Sequence, residues 1–232
     1  MSIKSVIRDF LALFFPNYCL GCGRSLVKGE EILCTRCIVD LPKTGYHNQE
    51  SSPVKQKLEG RLPIVYGWAF VKFHKKGIVQ QLLHQLKYNQ HPEVGLRLGM
   101  LFGKELTDQN LNTEFDLIIP VPLHTTRKRK RGYNQSTLFA EGLSRTMGIP
   151  YIESISVRKK STSTQTNKSR EERWENVKDA FSLSKEKSVV KGKRILLVDD
   201  VITTGTTLEA CGQHLIEAGC SQLSVACLAE AQ

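Results

Sequence analysis

The chain of 232 residues has 33 Lys and Arg against 23 Asp and Glu, a net charge of +10 that is unusual for an enzyme of small neutral substrates and suits a polyanionic ligand or nucleic acid. At 40% hydrophobic it can bury the core of one medium domain with a small appendage, and no stretch approaches the ~20 apolar residues of a membrane span. Seven cysteines, an odd number, with no credible secretory signal, argue against a disulfide scaffold and for a reducing, cytoplasmic setting in which cysteines are thiols or metal ligands.

Ile3, Val6, Ile7, Phe10, Leu11 and Phe14 follow helical spacing, which predicts a short amphipathic helix over 2–15 ended by Pro16. Cys19, Cys22, Cys34 and Cys37 then stand as C-x2-C-x11-C-x2-C. Each knuckle offers two thiolates from one tight turn, and four thiolates suit a closed, structural Zn2+ site rather than a catalytic one. Residues 1–45 are therefore read as helix plus four-cysteine module, 46–60 as a polar linker, and 61–232 as the main domain.

Residues 61–73 are rich in β-branched and aromatic side chains, with Gly67 dividing them into two strand pieces. Helices are predicted over 77–88, with Ile78, Leu82, Leu83 and Leu86 as the buried stripe, and over 92–106, with Pro92 at its first position. His84 and His91 read as surface or packing residues. An apolar strand over 115–122 runs into the basic series from Arg127 to Arg131, then Gly132, then a helix carrying Leu138, Leu143 and Met147. A short strand over 151–157 and a long polar stretch over 158–178 follow; a loop of that length is functional or disordered.

The segment ILLVDDVITTGTT, residues 195–207, ends the argument from local pattern. Ile195, Leu196, Leu197 and Val198 read as a buried parallel strand. Asp199 and Asp200 stand where that strand ends, and Thr203, Thr204, Gly205, Thr206 and Thr207 form a hydroxyl-rich turn before a helix over 206–218. Backbone N–H groups at a helix start favour phosphate, Thr hydroxyls add donors, and an acidic pair can accept from vicinal ribose hydroxyls. A last strand spans 222–228, and Cys211, Cys220 and Cys227 act as small apolar residues. Alternating strands and helices imply a mainly parallel α/β sheet with ligands at the strands' carboxyl ends.

Residues 195–207 resemble the phosphoribosyl-pyrophosphate (PRPP) motif of type I phosphoribosyltransferases. Taken with LFFPNYCLGCG, CTRC, IIPVPLH, RKRGYNQ and SREERWENVKDAF, in this order, nearly the whole chain resembles the ComF family. The resemblance implies a type I phosphoribosyltransferase fold, flanked by helices, joined to a small zinc-ribbon-like module. It implies PRPP bound with Mg2+, Asp199 and Asp200 at the ribose, and residues 203–207 at the 5′-phosphate. It also implies a pyrophosphate loop over 122–135 with Arg127, Arg129 and Arg131 as candidates. A hood over 161–176 would bring Lys168, Arg170 and Arg173, with Trp174 anchoring its end. Family members are linked to competence and to DNA utilisation, which makes single-stranded DNA and other competence proteins expected partners.

The chain reveals no acceptor pocket and no general base. Pentosyl transfer from PRPP is thus one reading. The other is a single-stranded DNA-binding factor whose transferase fold is structural or regulatory, with Arg127 to Arg131 on DNA phosphates and Tyr133, Trp174 and Tyr88 as stacking candidates. A zinc-organised adaptor, docking a partner through residues 19–37, is a third.

Overall fold

The computed structural model describes residues 16–158 and 181–231; the expected helix over 2–15 and the hood residues Lys168, Arg170, Arg173 and Trp174 lie outside them. Its centre is a four-stranded parallel sheet ordered β1-β6-β5-β2 (β1, Ile64–Phe73; β2, Leu117–Pro120; β5, Arg194–Ile202; β6, Gln222–Ala231). The strands are continuous apolar runs because the sheet interior is buried: all of β2 and Ile195, Leu196, Leu197 and Val198 of β5 are closed to solvent. In register, Leu117 faces Ile195 and Asp199 faces Cys227.

The helices of the described residues are α1 (Thr35–Val39), α2 (Pro53–Leu58), α3 (Ile78–Tyr88), α4 (Glu93–Asp108), α5 (Thr125–Arg131), α6 (Gln135–Met147) and α7 (Thr206–Glu217). Two short antiparallel strands, β3 (Ser156–Arg158) and β4 (Phe181–Leu183), form a second sheet, and β4 packs beside α7. Helices α4 and α6 cross at backbone contact, which only glycine permits: a Cβ on Gly99 would lie 2.4 Å from the Phe139 carbonyl oxygen, and one on Gly142 would lie 2.2 Å from that of Leu96. That crossing sets where α6 begins, and therefore where Asn134, Gln135 and Ser136 stand.

Several sequence expectations change here. β1 is one strand with a register irregularity between Ile64 and Gly67. The glycine serves close approach: a Cβ there would lie 2.8 Å from the Lys55 backbone nitrogen, so α2 can sit on the strand. Residues 46–60, read as a polar linker, contain a 3-10 turn and α2, whose Val54 and Leu58 are fully buried. Two apolar residues four apart were enough to fold a segment whose composition looks like a linker. The strand expected over 151–157 reduces to a single parallel bridge between Tyr151 and Ile118, followed by β3. Pro92 caps α4 rather than opening it.

The cysteine module is built onto this frame. Residues 42–44 run antiparallel along the outer edge of β1, with Thr44 N–H donating to the Phe70 carbonyl over 2.9 Å and Lys72 N–H to that of Pro42 over 2.8 Å, so the edge is covered. Gly21 sits against Ile78 at the start of α3. Among the described residues no helix is long and apolar enough to cross a membrane.

Candidate functional site

Asp199 and Asp200 lie near the carboxyl end of β5, where parallel strands present their ligand-binding edge. The Asp199 Oδ1 accepts from the Ser136 hydroxyl over 2.9 Å and from the Asp200 backbone N–H over 2.8 Å. Asp200 takes the Val201 N–H at 2.7 Å on Oδ1 and Lys87 Nζ at 2.6 Å on Oδ2. Burial, and then the adjacent Asp200 charge, push the Asp199 carboxyl up to about 7 against the opposing hydrogen bonds and Lys87.

These groups line a cavity of about 190 Å3 with Arg127 and Arg131 from α5. The basic run folds as a helix capped by the His124 side chain at one end and by Gly132, at φ +83°, at the other. Residues four apart share a helix face, so Arg127 and Arg131 reach the cavity together, whereas Arg129, two positions from each, is exposed and does not line it. Lys128 pairs with Glu153 at 2.6 Å. Arg131 Nη1 donates to Gln135 Oε1 over 3.0 Å, and the Gln135 Nε2, on a residue only 1% exposed, finds no acceptor among the described residues. A buried donor lining a cavity without a partner is what a ligand oxygen would satisfy.

The loop from Thr203 to Gly205 leads into α7 with Gly205 as N-cap at φ +78°. Thr203 and Thr204 are exposed, the Thr204 and Thr206 hydroxyls are 3.0 Å apart, and Thr207 lines the same cavity as the aspartates. A second cavity of about 250 Å3 adjoins the first through Lys87, Arg127 and Arg131, and adds Tyr88, Gln90 and Tyr133. Tyr88 is 65% exposed, with the Arg131 guanidinium 5.7 Å from its ring centre. The Tyr133 hydroxyl instead donates inward, to the Leu86 carbonyl over 2.7 Å. His84 packs beside Tyr88 and His91 pairs with Glu93, as surface positions.

Sequence reasoning missed Lys87 and Ser136, and placed Gln135 at the end of the pyrophosphate loop without giving its side chain a role. Lys87 ends an amphipathic helix where a lysine signals nothing by itself; Ser136 follows the noted basic run, but its partner Asp199 comes from a strand more than sixty residues on.

Near the start of α3, the sulfurs of Cys19, Cys22, Cys34 and Cys37 all lie within 4.8 Å of one another, a set that could hold a metal ion. The Cys34 and Cys37 backbone N–H groups point at the sulfurs of Cys19 and Cys34, over 3.3 and 3.4 Å.

The sequence matches the Phosphoribosyl transferase domain family over residues 96–232. It is 32% identical to Competence protein F of Haemophilus influenzae over 94% of this chain and 99% of that protein. It is 31% identical to DNA utilization protein YhgH of Escherichia coli K12, over 94% and 92%. Competence protein ComFC of Bacillus subtilis aligns at 33% identity over 44% of this chain and 39% of that protein. With a fold, a cysteine cluster and near full-length identity all in agreement, the chain belongs to the ComF family and carries a phosphoribosyltransferase domain.

Proposed function

We propose that the chain binds PRPP with Mg2+ in the cavity between β5 and α5 and transfers its phosphoribosyl group, in the service of DNA uptake or utilisation. The carrying observation is the convergence of Asp199 and Asp200 with Lys87, Arg127 and Arg131 on one small cavity beside Thr207. Asp199 and Asp200 would take the ribose hydroxyls. Thr203, Thr204, Gly205, Thr206 and Thr207 would take the 5′-phosphate at the start of α7. Arg127, Arg131 and the Gln135 amide would hold pyrophosphate and stabilise its charge as it leaves. Two carboxylates and hydroxyls are the oxygen donors that Mg2+ takes, so the site fits the ion; bound there, it would neutralise leaving-group charge. The acid pair would hold it through the ribose hydroxyls. The names of the relatives from H. influenzae and E. coli support a role with DNA.

The cysteine set suits structural zinc. Tetrahedral Zn–S bonds of ~2.3 Å put sulfurs ~3.8 Å apart, and Cys22 and Cys34 stand at 3.7 Å. A reducing, cytoplasmic setting suits cysteines that stand together as a metal-binding set.

Single-stranded DNA binding is the second reading, favoured by the exposed Tyr88 ring beside Arg131 and Lys130. Calorimetric titration of Mg2+ and PRPP into the purified chain and into the double variant Asp199→Asn, Asp200→Asn tests the first. Binding by wild type alone is expected; equal binding by both overturns it, and binding by neither leaves the DNA reading and partner proteins.

A further inference from the structure

Arg61 lies just before β1, outside both the cavity and the matched transferase domain. Its side chain is only 16% exposed, and its guanidinium is directed entirely at the protein. Nε donates to Glu209 Oε2 over 2.6 Å, and Nη2 reaches the same oxygen. Nη1 donates to the Lys57 carbonyl over 2.9 Å and to the Thr204 carbonyl over 2.7 Å. One rigid, planar fork thus joins α2, the loop of residues 203–205 and the first turn of α7.

Two consequences follow for the loop. A trans peptide is planar, so holding the Thr204 carbonyl toward Arg61 turns the Gly205 N–H to the opposite side. Glu209, in the first turn of α7, would repel a phosphate at that helix start; Arg61 cancels its charge. Gly205 rests on the same brace, since a Cβ there would lie 2.8 Å from Leu58 Cδ2. The brace is itself tied down. Lys57 Nζ and the Tyr46 hydroxyl each lie 2.6 Å from the carboxylate of Glu230, which is 5% exposed and in register with Ile202, the residue before the loop.

We propose that Arg61 is a positioning residue for the phosphate loop, and that residues 46–61 form a brace which the matched region, residues 96–232, requires from outside itself. The proposal rests on the reading of that loop as the 5′-phosphate site. Its chemistry is the orientation of one peptide and the neutralisation of one carboxylate; Arg61 has no role at the reacting carbon.

Calorimetry on the full chain with ribose 5-phosphate, and separately with pyrophosphate, isolates the loop from the Arg127 side. Arg61→Gln is expected to weaken ribose 5-phosphate binding roughly tenfold or more and to leave pyrophosphate binding within about twofold of wild type. Arg61→Lys, which keeps the charge but not the fork, falls between. Adding Glu209→Gln to Arg61→Gln is expected to recover part of the loss, since it removes the carboxylate that Arg61 no longer neutralises. Unchanged ribose 5-phosphate affinity in Arg61→Gln overturns the inference, as does equal loss of both ligands. If that variant fails to fold, Arg61→Lys carries the test: weaker ribose 5-phosphate binding with pyrophosphate binding kept supports the inference, and unchanged affinity for both overturns it. Wild type that binds pyrophosphate but not ribose 5-phosphate, or neither, overturns the phosphate-loop reading and this inference with it.

Discussion

Lys87 Nζ lies 2.6 Å from Asp200 Oδ2, joining the last turn of α3 to the end of β5. Both side chains are largely enclosed, at 22% and 19% exposure, so the pair is less screened than a surface bridge. It balances one of two neighbouring carboxylates before any ligand arrives, and its ammonium borders both polar cavities.

Replacing Lys87 by Met should therefore weaken PRPP binding by about tenfold, on the scale of one lost charge-assisted contact. Arg in its place should restore part of that. Calorimetry at fixed salt measures it, and an Lys87→Met protein with wild-type affinity would remove Lys87 from the site.

Asp199 carries a pH signature. Burial first, and then Asp200, raise its carboxyl from 3.8 to about 7. Between these values the folded chain holds a proton that the unfolded chain has released, so this residue's contribution to stability declines as pH rises through that window and is flat below it. Asp199→Asn removes the penalty, because an amide oxygen still accepts from Ser136 and the Asp200 N–H. The variant should be more stable than wild type at pH 8 and should lose that advantage near pH 4. Urea titrations at the two pH values decide it. In wild type, affinity for Mg2+ with PRPP should rise through about pH 7 as Asp199 ionises.

Much of this was legible in the chain. Continuous apolar runs announced buried parallel strands, and the acid pair before TTGTT announced where β5 ends and a helix follows, because both signals are local. The basic run announced charge but not shape: α5 is too polar for a hydrophobic stripe, so only the structure separates Arg127 and Arg131 from Arg129. Lys87 and Arg61 were silent for a different reason. Their partners, Asp200 and Glu209, lie far along the chain, and a lone cation has no periodicity to betray what it faces. Residues 46–60 misled through composition, since burial there rests on Tyr46, Val54 and Leu58, with Ser52, among polar neighbours.

The cysteine module should contain about one zinc per chain, and Cys34→Ser or Cys37→Ser should abolish it. Gly21 packs between Cys37 and Ile78, with a Cβ there at 3.2 and 3.0 Å from them, so loosening the module should loosen the start of α3. Metal analysis, a fall in Tm of roughly 5–10 °C and faster amide exchange at Val79 to Leu83 are expected together. Full zinc content in either variant would remove that thiol from the ligand set.

The face of α5 separates the two functional readings. Arg127 and Arg131 line the cavity with the aspartates, whereas Arg129 stands outside it. If the helix serves pyrophosphate, Arg127→Ala and Arg131→Ala should each weaken PRPP by roughly tenfold to a hundredfold, and Arg129→Ala should leave it within about twofold, as expected for a charge that makes no direct contact. If it serves single-stranded DNA, all three should weaken binding, and each should reduce the salt dependence by about 0.7 in the slope of log K against log salt. Tyr88→Ala should then add a loss of about 1–3 kcal/mol from a missing stacking platform, while PRPP binding stays unchanged because Tyr88 borders only the outer cavities. Fluorescence titrations with a labelled oligonucleotide across salt, run beside PRPP calorimetry, give both patterns. A protein in which Arg129 matters for DNA and not for PRPP carries both ligands on one basic helix; one in which Arg129 matters for neither assigns α5 to the phosphoribosyl site alone.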